Sequence, residues 1–163
     1  LTEMQAALAD SDCALLVNDR SDIAKAAGAN LHIGPHDISP EVAREILGPD
    51  AIIGATANNL TMLGQLSDAP IDYVGVGPVF GTKSKENPSA TLGIAGLQAM
   101  VDASPVPVIA IGSIQADQVQ SVLETGAHGV AVISGIVIQD DPQAACQNYR
   151  QAIDQFLQTK ASP

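Results

Sequence analysis

Tryptophan is absent from this chain, and two tyrosines with two phenylalanines make aromatics only 2% of its 163 residues. So sparse a set leaves little for base stacking or for ring platforms that hold sugars. Positive charge is scarce as well: 7 Lys+Arg stand against 18 Asp+Glu, a net charge of −11. Such a surface repels a phosphate backbone and anionic lipid, which argues against nucleic acid and membrane as partners. With only two cysteines, Cys13 and Cys146, near opposite ends, and no secretory h-region, a functional disulfide is not expected. Free, buried thiols in a reducing cytoplasm are the expectation. No apolar run reaches the length of a membrane span. Any anion this protein handles must be met by few side chains, because the bases are Arg20, Lys25, Arg44, Lys83, Lys85, Arg150 and Lys160.

Apolar residues, by contrast, make up 46% of the chain, enough to bury a core, and the length suits one domain over residues 1–163. Short β-branched runs predict strands at 14–17, 30–33, 51–53, 72–76, 106–111 and 129–133. Ala/Leu/Gln-rich stretches with helical spacing lie between them, at 22–27, 40–47, 60–66, 94–101, 116–124 and 142–157, with one more helix at 2–9. Gly28, Gly48 and Gly126 suit left-handed helix stops, and Ser39-Pro40 and Asp141-Pro142 suit helix starts. Strand followed by helix, six times over, predicts right-handed βαβ units and a parallel sheet.

A doubly wound sheet would gather its unusual residues at one switch point, whereas a TIM (β/α)8 barrel distributes them over every strand end. Here each predicted strand is followed by polar or glycine-rich material: Asn18 to Arg20, His32 to Asp37, Thr56 to Asn59, Gly77 to Lys85, Gly112-Ser113 and Ser134-Gly135. The barrel is therefore the expected fold, with six of its eight units in this chain.

Parallel neighbours lie about 4.8 Å apart, so Asp19 and Asp37 could converge on one hard cation. The competing role for each is a helix N-cap. His32 inside a strand reads as a packed, hydrogen-bonded histidine, because no Cys or Glu completes a zinc set with it and His36. His128 falls at the N-terminal end of the last strand, where a barrel keeps residues for stability. From Gly75 to Gly93 the glycine spacing is close to a dinucleotide fingerprint, but a polar loop of about 15 residues follows where the helix should start. Loops that long are often lids, and its Thr82, Lys83, Ser84 and Lys85 suit a phosphate or pyrophosphate, a solvated charged loop being the alternative. Gly112-Ser113 and Ser134-Gly135-Ile136 would offer backbone N–H groups to a phosphate, or serve as ordinary turns.

In order and spacing, Asn18-Asp19-Arg20, His32-Ile33-Gly34 with Asp37, Gly77-Pro78-Val79-Phe80 followed by Thr82 to Lys85, Ala110-Ile111-Gly112, and Val132-Ile133-Ser134 resemble the thiamine-phosphate synthase family. The resemblance implies a TIM barrel that joins an aminopyrimidine methyl pyrophosphate to a thiazole phosphate, releasing pyrophosphate and forming thiamine phosphate. It implies Mg²⁺ on Asp19 and Asp37, the pyrimidine substrate on Asn18, and the pyrophosphate on Lys85. Thr56 stands where the family usually has a pyrophosphate-binding serine, and Lys85 and Thr56 are the catalytic candidates. Thr82 and Ser84 match lid threonines that serve the thiazole phosphate, to which the backbone at Gly112, Ser134, Gly135 and Ile136 would also bind. Three further positions depart from the pattern: Pro35 replaces a Gln, Ser113 replaces a second Gly, and Ser84 replaces a Thr. The family's first two strands have no counterpart before residue 1, so the expectation is a barrel lacking them. A cytoplasmic enzyme is implied, and a homo-oligomer stays open. Two other readings compete: a thiazole tautomerase of the same superfamily, for which residues 57–59 offer no general-base histidine, and a non-catalytic, phosphate-binding degenerate barrel.

Overall fold

The structure, a computed structural model, describes residues 1–81 and 90–161. Six strands form one sheet: β1 (Leu16–Asn18), β2 (Asn30–Ile33), β3 (Ile53–Ala57), β4 (Tyr73–Val76), β5 (Val108–Ile111) and β6 (Gly129–Ala131). All neighbours are parallel, and the spatial order repeats the chain order from β1 to β6. Right-handed crossovers that always step the same way put every connecting helix on one face, which is barrel winding and excludes a doubly wound sheet.

The connecting helices are α2 (Ser21–Ala27), α3 (Pro40–Leu47), α4 (Leu60–Gln65), α5 (Gly93–Ala103) and α6 (Val119–Glu124). Ahead of β1 stands α1 (Thr2–Leu8); after β6 come the short α7 (Ser134–Val137) and the long α8 (Pro142–Ala161). Local chemistry explains several boundaries. Ser39 accepts from the Val42 amide and Asp141 from the Ala144 amide, so both predicted caps form. Gly28 ends α2 in the left-handed region, while Gly48 ends α3 at φ 94° but an extended ψ of 175°, a cap of a different kind from the one expected. A 3₁₀ turn at Ala116–Gln118, closed by reciprocal bonds between Gln115 and Gln118, precedes α6.

Strand alternation sorts the residues onto two faces. On the helix-covered face, Leu31, Ile33, Ile53, Val74, Val76, Val108 and Ala110 are buried. They pack in two clusters, one with Ala24 and Ala43 from α2 and α3, the other with Leu63, Leu97, Met100, Val119 and Tyr149. On the concave face His32, Thr56, Tyr73, Ile109 and Ile111 are only partly buried. A closed barrel fills that face with packed layers. Here the outer edges of β1 and β6 have no partner strand among the described residues, and Ile133, Val137 and Ile138 beside β6 are exposed. The architecture is thus a six-stranded partial barrel.

Arg44 of α3 ties the opposite end of the sheet together. Its guanidinium donates to the carbonyls of Gly48, Pro49, Ala51 and Pro70 and to Asp72, whose carboxylate also accepts the Ile53 amide. Cys13 and Cys146 are free, but both are exposed, against the expectation of buried thiols: Cys13 lies in the segment between α1 and β1, and Cys146 is at a solvent-facing position of α8. Among the described residues no helix is long and apolar enough to cross a membrane.

Candidate functional site

Expected to end at residue 53, the third strand instead runs to Ala57, so Thr56 belongs to the strand and not to the loop after it. The reason is the Gly54-Ala55-Thr56-Ala57 run, in which buried Ala55 and Ala57 continue the helix-facing alternation. Thr56 consequently faces the concave side together with Gly54.

Register aligns Asn18, His32, Gly54 and Tyr73 in a row across four strands. A Cβ at Gly54 would fall inside the Tyr73 ring, and one at Gly75 would meet His32 Cε1 at 3.1 Å. The two glycines therefore create the space that the two rings occupy. Those rings stack with centroids 5.5 Å apart. His32 Nδ1 lies 2.8 Å from the Tyr73 hydroxyl and Nε2 lies 2.9 Å from Thr56 Oγ1. Both ring nitrogens are engaged within the protein, as a packed histidine requires and a zinc ligand does not allow. Burial lowers the His32 pKa below its ordinary value, a nearby Asp37 opposing the shift, and burial raises that of Tyr73.

The strand ends carry the acidic groups. Asp19 turns at φ 66°, a conformation that Asp tolerates, and its amide donates to the His32 carbonyl at 2.9 Å. Asp37 folds back so that Oδ2 accepts the Gly34 amide at 2.7 Å. Neither caps a helix: Arg20 and Ser39 hold those positions. The two carboxylates thus stand at the ends of adjacent strands. Arg20, a base on this rim, is paired through two bonds to Asp22, whose pKa it lowers to about 2. At the ends of β2 and β3 a cavity of about 260 Å³ is lined by Gly34, Asp37 and Thr56 together with Ile33, Ala55 and Leu66. A larger depression, about 460 Å³, lies on the outer surface of α8 around Arg150 and Asp154 and not at the strand ends.

On the other side, the ends of β4 and β5 approach backbone to backbone. Gly112, at φ 116°, would place a Cβ 2.6 Å from Pro78 Cα, and the Val79 and Phe80 amides donate to Ile111 and Gly112. Ser113 follows at φ 48°, a left-handed conformation in the position where the family pattern has glycine. After β6, the amides of Ile136 and Val137 bond the Ile133 carbonyl, whereas Ser134 and Gly135 supply first-turn amides that have no acceptor within a helix. Gly135 is packed under the Tyr149 hydroxyl, which donates to the Ile114 carbonyl at 2.9 Å.

Thr82, Ser84 and Lys85, expected in a lid, lie outside the described residues. The chain on either side of them is paired, with Leu92 and Gly93 amides donating to Pro78 and Val79. Tyr73, Gly54 and Tyr149 were not singled out from sequence. The alternation that makes Tyr73 face Gly54 is visible there only once the strand is extended to Ala57.

Residues 1–136 match the family model described as thiamine monophosphate synthase. The thiamine-phosphate synthase of Salinibacter ruber is 45% identical over 150 residues, which cover 91% of this chain and 66% of the relative. That of Natronomonas pharaonis is 38% identical, covering 94% and 73%. A solved thiamine phosphate pyrophosphorylase from Pyrococcus furiosus superposes with a TM-score of 0.85 at 34% identity, over 94% of this chain and 74% of that one. The chain spans about two thirds of the length of the curated relatives it matches. In motif order, in fold and in overall similarity, the chain belongs to the thiamine monophosphate synthase family.

Proposed function

We propose that the protein is a Mg²⁺-dependent thiamine-phosphate synthase, joining an aminopyrimidine methyl pyrophosphate to a thiazole phosphate with release of pyrophosphate. The observation that carries this reading is the gathering, at the C-terminal ends of one parallel sheet, of two carboxylates, the Thr56 hydroxyl and two glycine-rich turns. In full relatives we expect two further strands to close the barrel between β6 and β1, in keeping with the exposed Ile133, Val137 and Ile138.

The donor set fits magnesium. Asp37 uses one oxygen on Gly34 and keeps the other, and among the described residues no group of three or more His, Cys, Asp or Glu forms a cage. One or two carboxylates, with substrate oxygens and water completing the shell, is how Mg²⁺ is commonly held. Asp19 and Asp37 would hold it, and when bound it neutralises charge on a departing pyrophosphate.

The chain's own groups do the rest. Thr56 hydrogen-bonds the pyrophosphate, Asn18 orients the pyrimidine, and the amides around Gly112, Ser134 and Gly135 bind the thiazole phosphate, the Ile136 amide expected to join them being taken by the Ile133 carbonyl. Lys85 adds a positive charge to the leaving group. Loss of pyrophosphate needs little general-base work, which agrees with a His32 whose two nitrogens are already committed. The same commitment, with no histidine at residues 57–59, disfavours the tautomerase reading.

Calorimetric titration of the intact protein tests this. Pyrimidine pyrophosphate should bind only with Mg²⁺ present, and thiazole phosphate should bind without it. Thiazole phosphate binding with no Mg²⁺-dependent pyrophosphate binding would point to the non-catalytic phosphate-binding barrel instead.

A further inference from the structure

We propose that His32 is a positioning residue whose tautomer, fixed by Tyr73, aims the Thr56 hydroxyl proton at the anion in the site. The inference deepens the function proposed above and rests on it for the identity of that anion, a pyrophosphate.

The reasoning begins with proton counting. Among the described residues the Tyr73 hydroxyl has one hydrogen-bond partner, His32 Nδ1 at 2.8 Å. The imidazole nitrogen is the acceptor that the structure places within reach of the phenol O–H, the stronger acid of the pair, so Tyr73 donates and Nδ1 accepts. A neutral imidazole that accepts at Nδ1 carries its proton on Nε2. Nε2 therefore donates to Thr56 Oγ1, 2.9 Å away. With that lone pair occupied by the imidazole N–H, the Thr56 O–H is left to donate elsewhere on the concave face, at the C-terminal end of β3.

The opposite tautomer would have the opposite effect. Thr56 would spend its proton on Nε2 and present only lone pairs to the concave face, repelling an anion. The direction of one hydrogen bond thus decides whether Thr56 attracts or repels a pyrophosphate. The sheet holds the direction fixed, because Gly54 and Gly75 provide the room in which the two rings stack.

Two measurements on the intact protein test this. The first, long-range ¹⁵N–¹H NMR at neutral pH, needs no turnover: His32, assigned by loss of its signals in His32→Gln, should show a protonated Nε2 and a bare Nδ1. A proton on Nδ1 overturns the proposal, whatever the enzyme's activity. The second is kinetic. Gln can place an amide N–H near the Nε2 position and Asn cannot, so His32→Gln should keep kcat within about threefold of the wild type while His32→Asn loses about tenfold. KM for the thiazole phosphate should be unchanged in both, and His32→Asn combined with Thr56→Ala should be no slower than Thr56→Ala alone. Equal losses for Asn and Gln, or additive losses in the double variant, would overturn the positioning role. A wild type with the stated tautomer but no product would instead refute the proposed reaction.

Discussion

Tyr73 occupies the space that a side chain on residue 54 would need: its ring covers the Gly54 Cα on the neighbouring strand, where a Cβ cannot fit. Gly54→Ala must therefore push the phenol off His32. We expect a loss of about 1 to 3 kcal/mol of stability from overpacking, read in denaturant unfolding, together with loss of the fixed His32 tautomer. The Gly64→Ala variant, where a Cβ meets nothing, serves as control and should be neutral or stabilising.

Gly135 bears the same relation to Tyr149. A methyl at residue 135 would collide with the Tyr149 hydroxyl and approach Val132 Cγ1 at 2.9 Å, moving the first turn of α7. Gly135→Ala should weaken thiazole phosphate binding at least tenfold in a calorimetric titration, on the order of one lost charge-assisted hydrogen bond. Tyr149→Phe removes only the bond to Ile114, costs about 1 kcal/mol of stability, and should leave that affinity within twofold.

Arg44 predicts a contrast in stability. Its guanidinium satisfies four carbonyls and Asp72 at once, and its side chain is 21% exposed. Arg44→Met should cost about 2 to 4 kcal/mol, and Lys should not rescue it, because an ammonium cannot span that fork. Arg150→Ala breaks an exposed pair with Asp154 and should cost at most about 0.5 kcal/mol.

The winding of this fold was readable because β-branched runs and helix caps leave local marks: Ser39 and Asp141 sit where their caps form. The strand containing Thr56 was not bounded correctly, because Gly54-Ala55-Thr56-Ala57 has little intrinsic strand propensity and is held extended by pairing on both sides. The engaged role of His32 was legible in outline, since a lone histidine in a strand lacked metal partners, but its two partners come from β3 and β4 and no spacing encodes them. Arg44 gave no signal for a similar reason: its acceptors are main-chain carbonyls, which every residue has. Of the few bases that could meet an anion, Arg20 on the rim is already paired with Asp22.

Burial lowers the His32 pKa below the ordinary 6.5, and this fixes a pH dependence. Below about pH 6.5 the unfolded chain binds a proton that the folded chain resists, so the contribution of His32 to stability falls as pH drops from there toward the folded-state value. His32→Gln should flatten that part of the stability profile between pH 7 and 5. An unchanged slope would mean that His32 titrates alike in both states.

The most direct measurement is a quenched reaction of the intact protein with both substrates, with and without Mg²⁺, on material whose folding is verified by circular dichroism. Thiamine phosphate and pyrophosphate should appear in equal amounts with Mg²⁺, fall at least a hundredfold when Asp37 is changed to Asn, and be absent without the metal. Folded protein that binds thiazole phosphate yet forms no thiamine phosphate under those conditions would contradict the account.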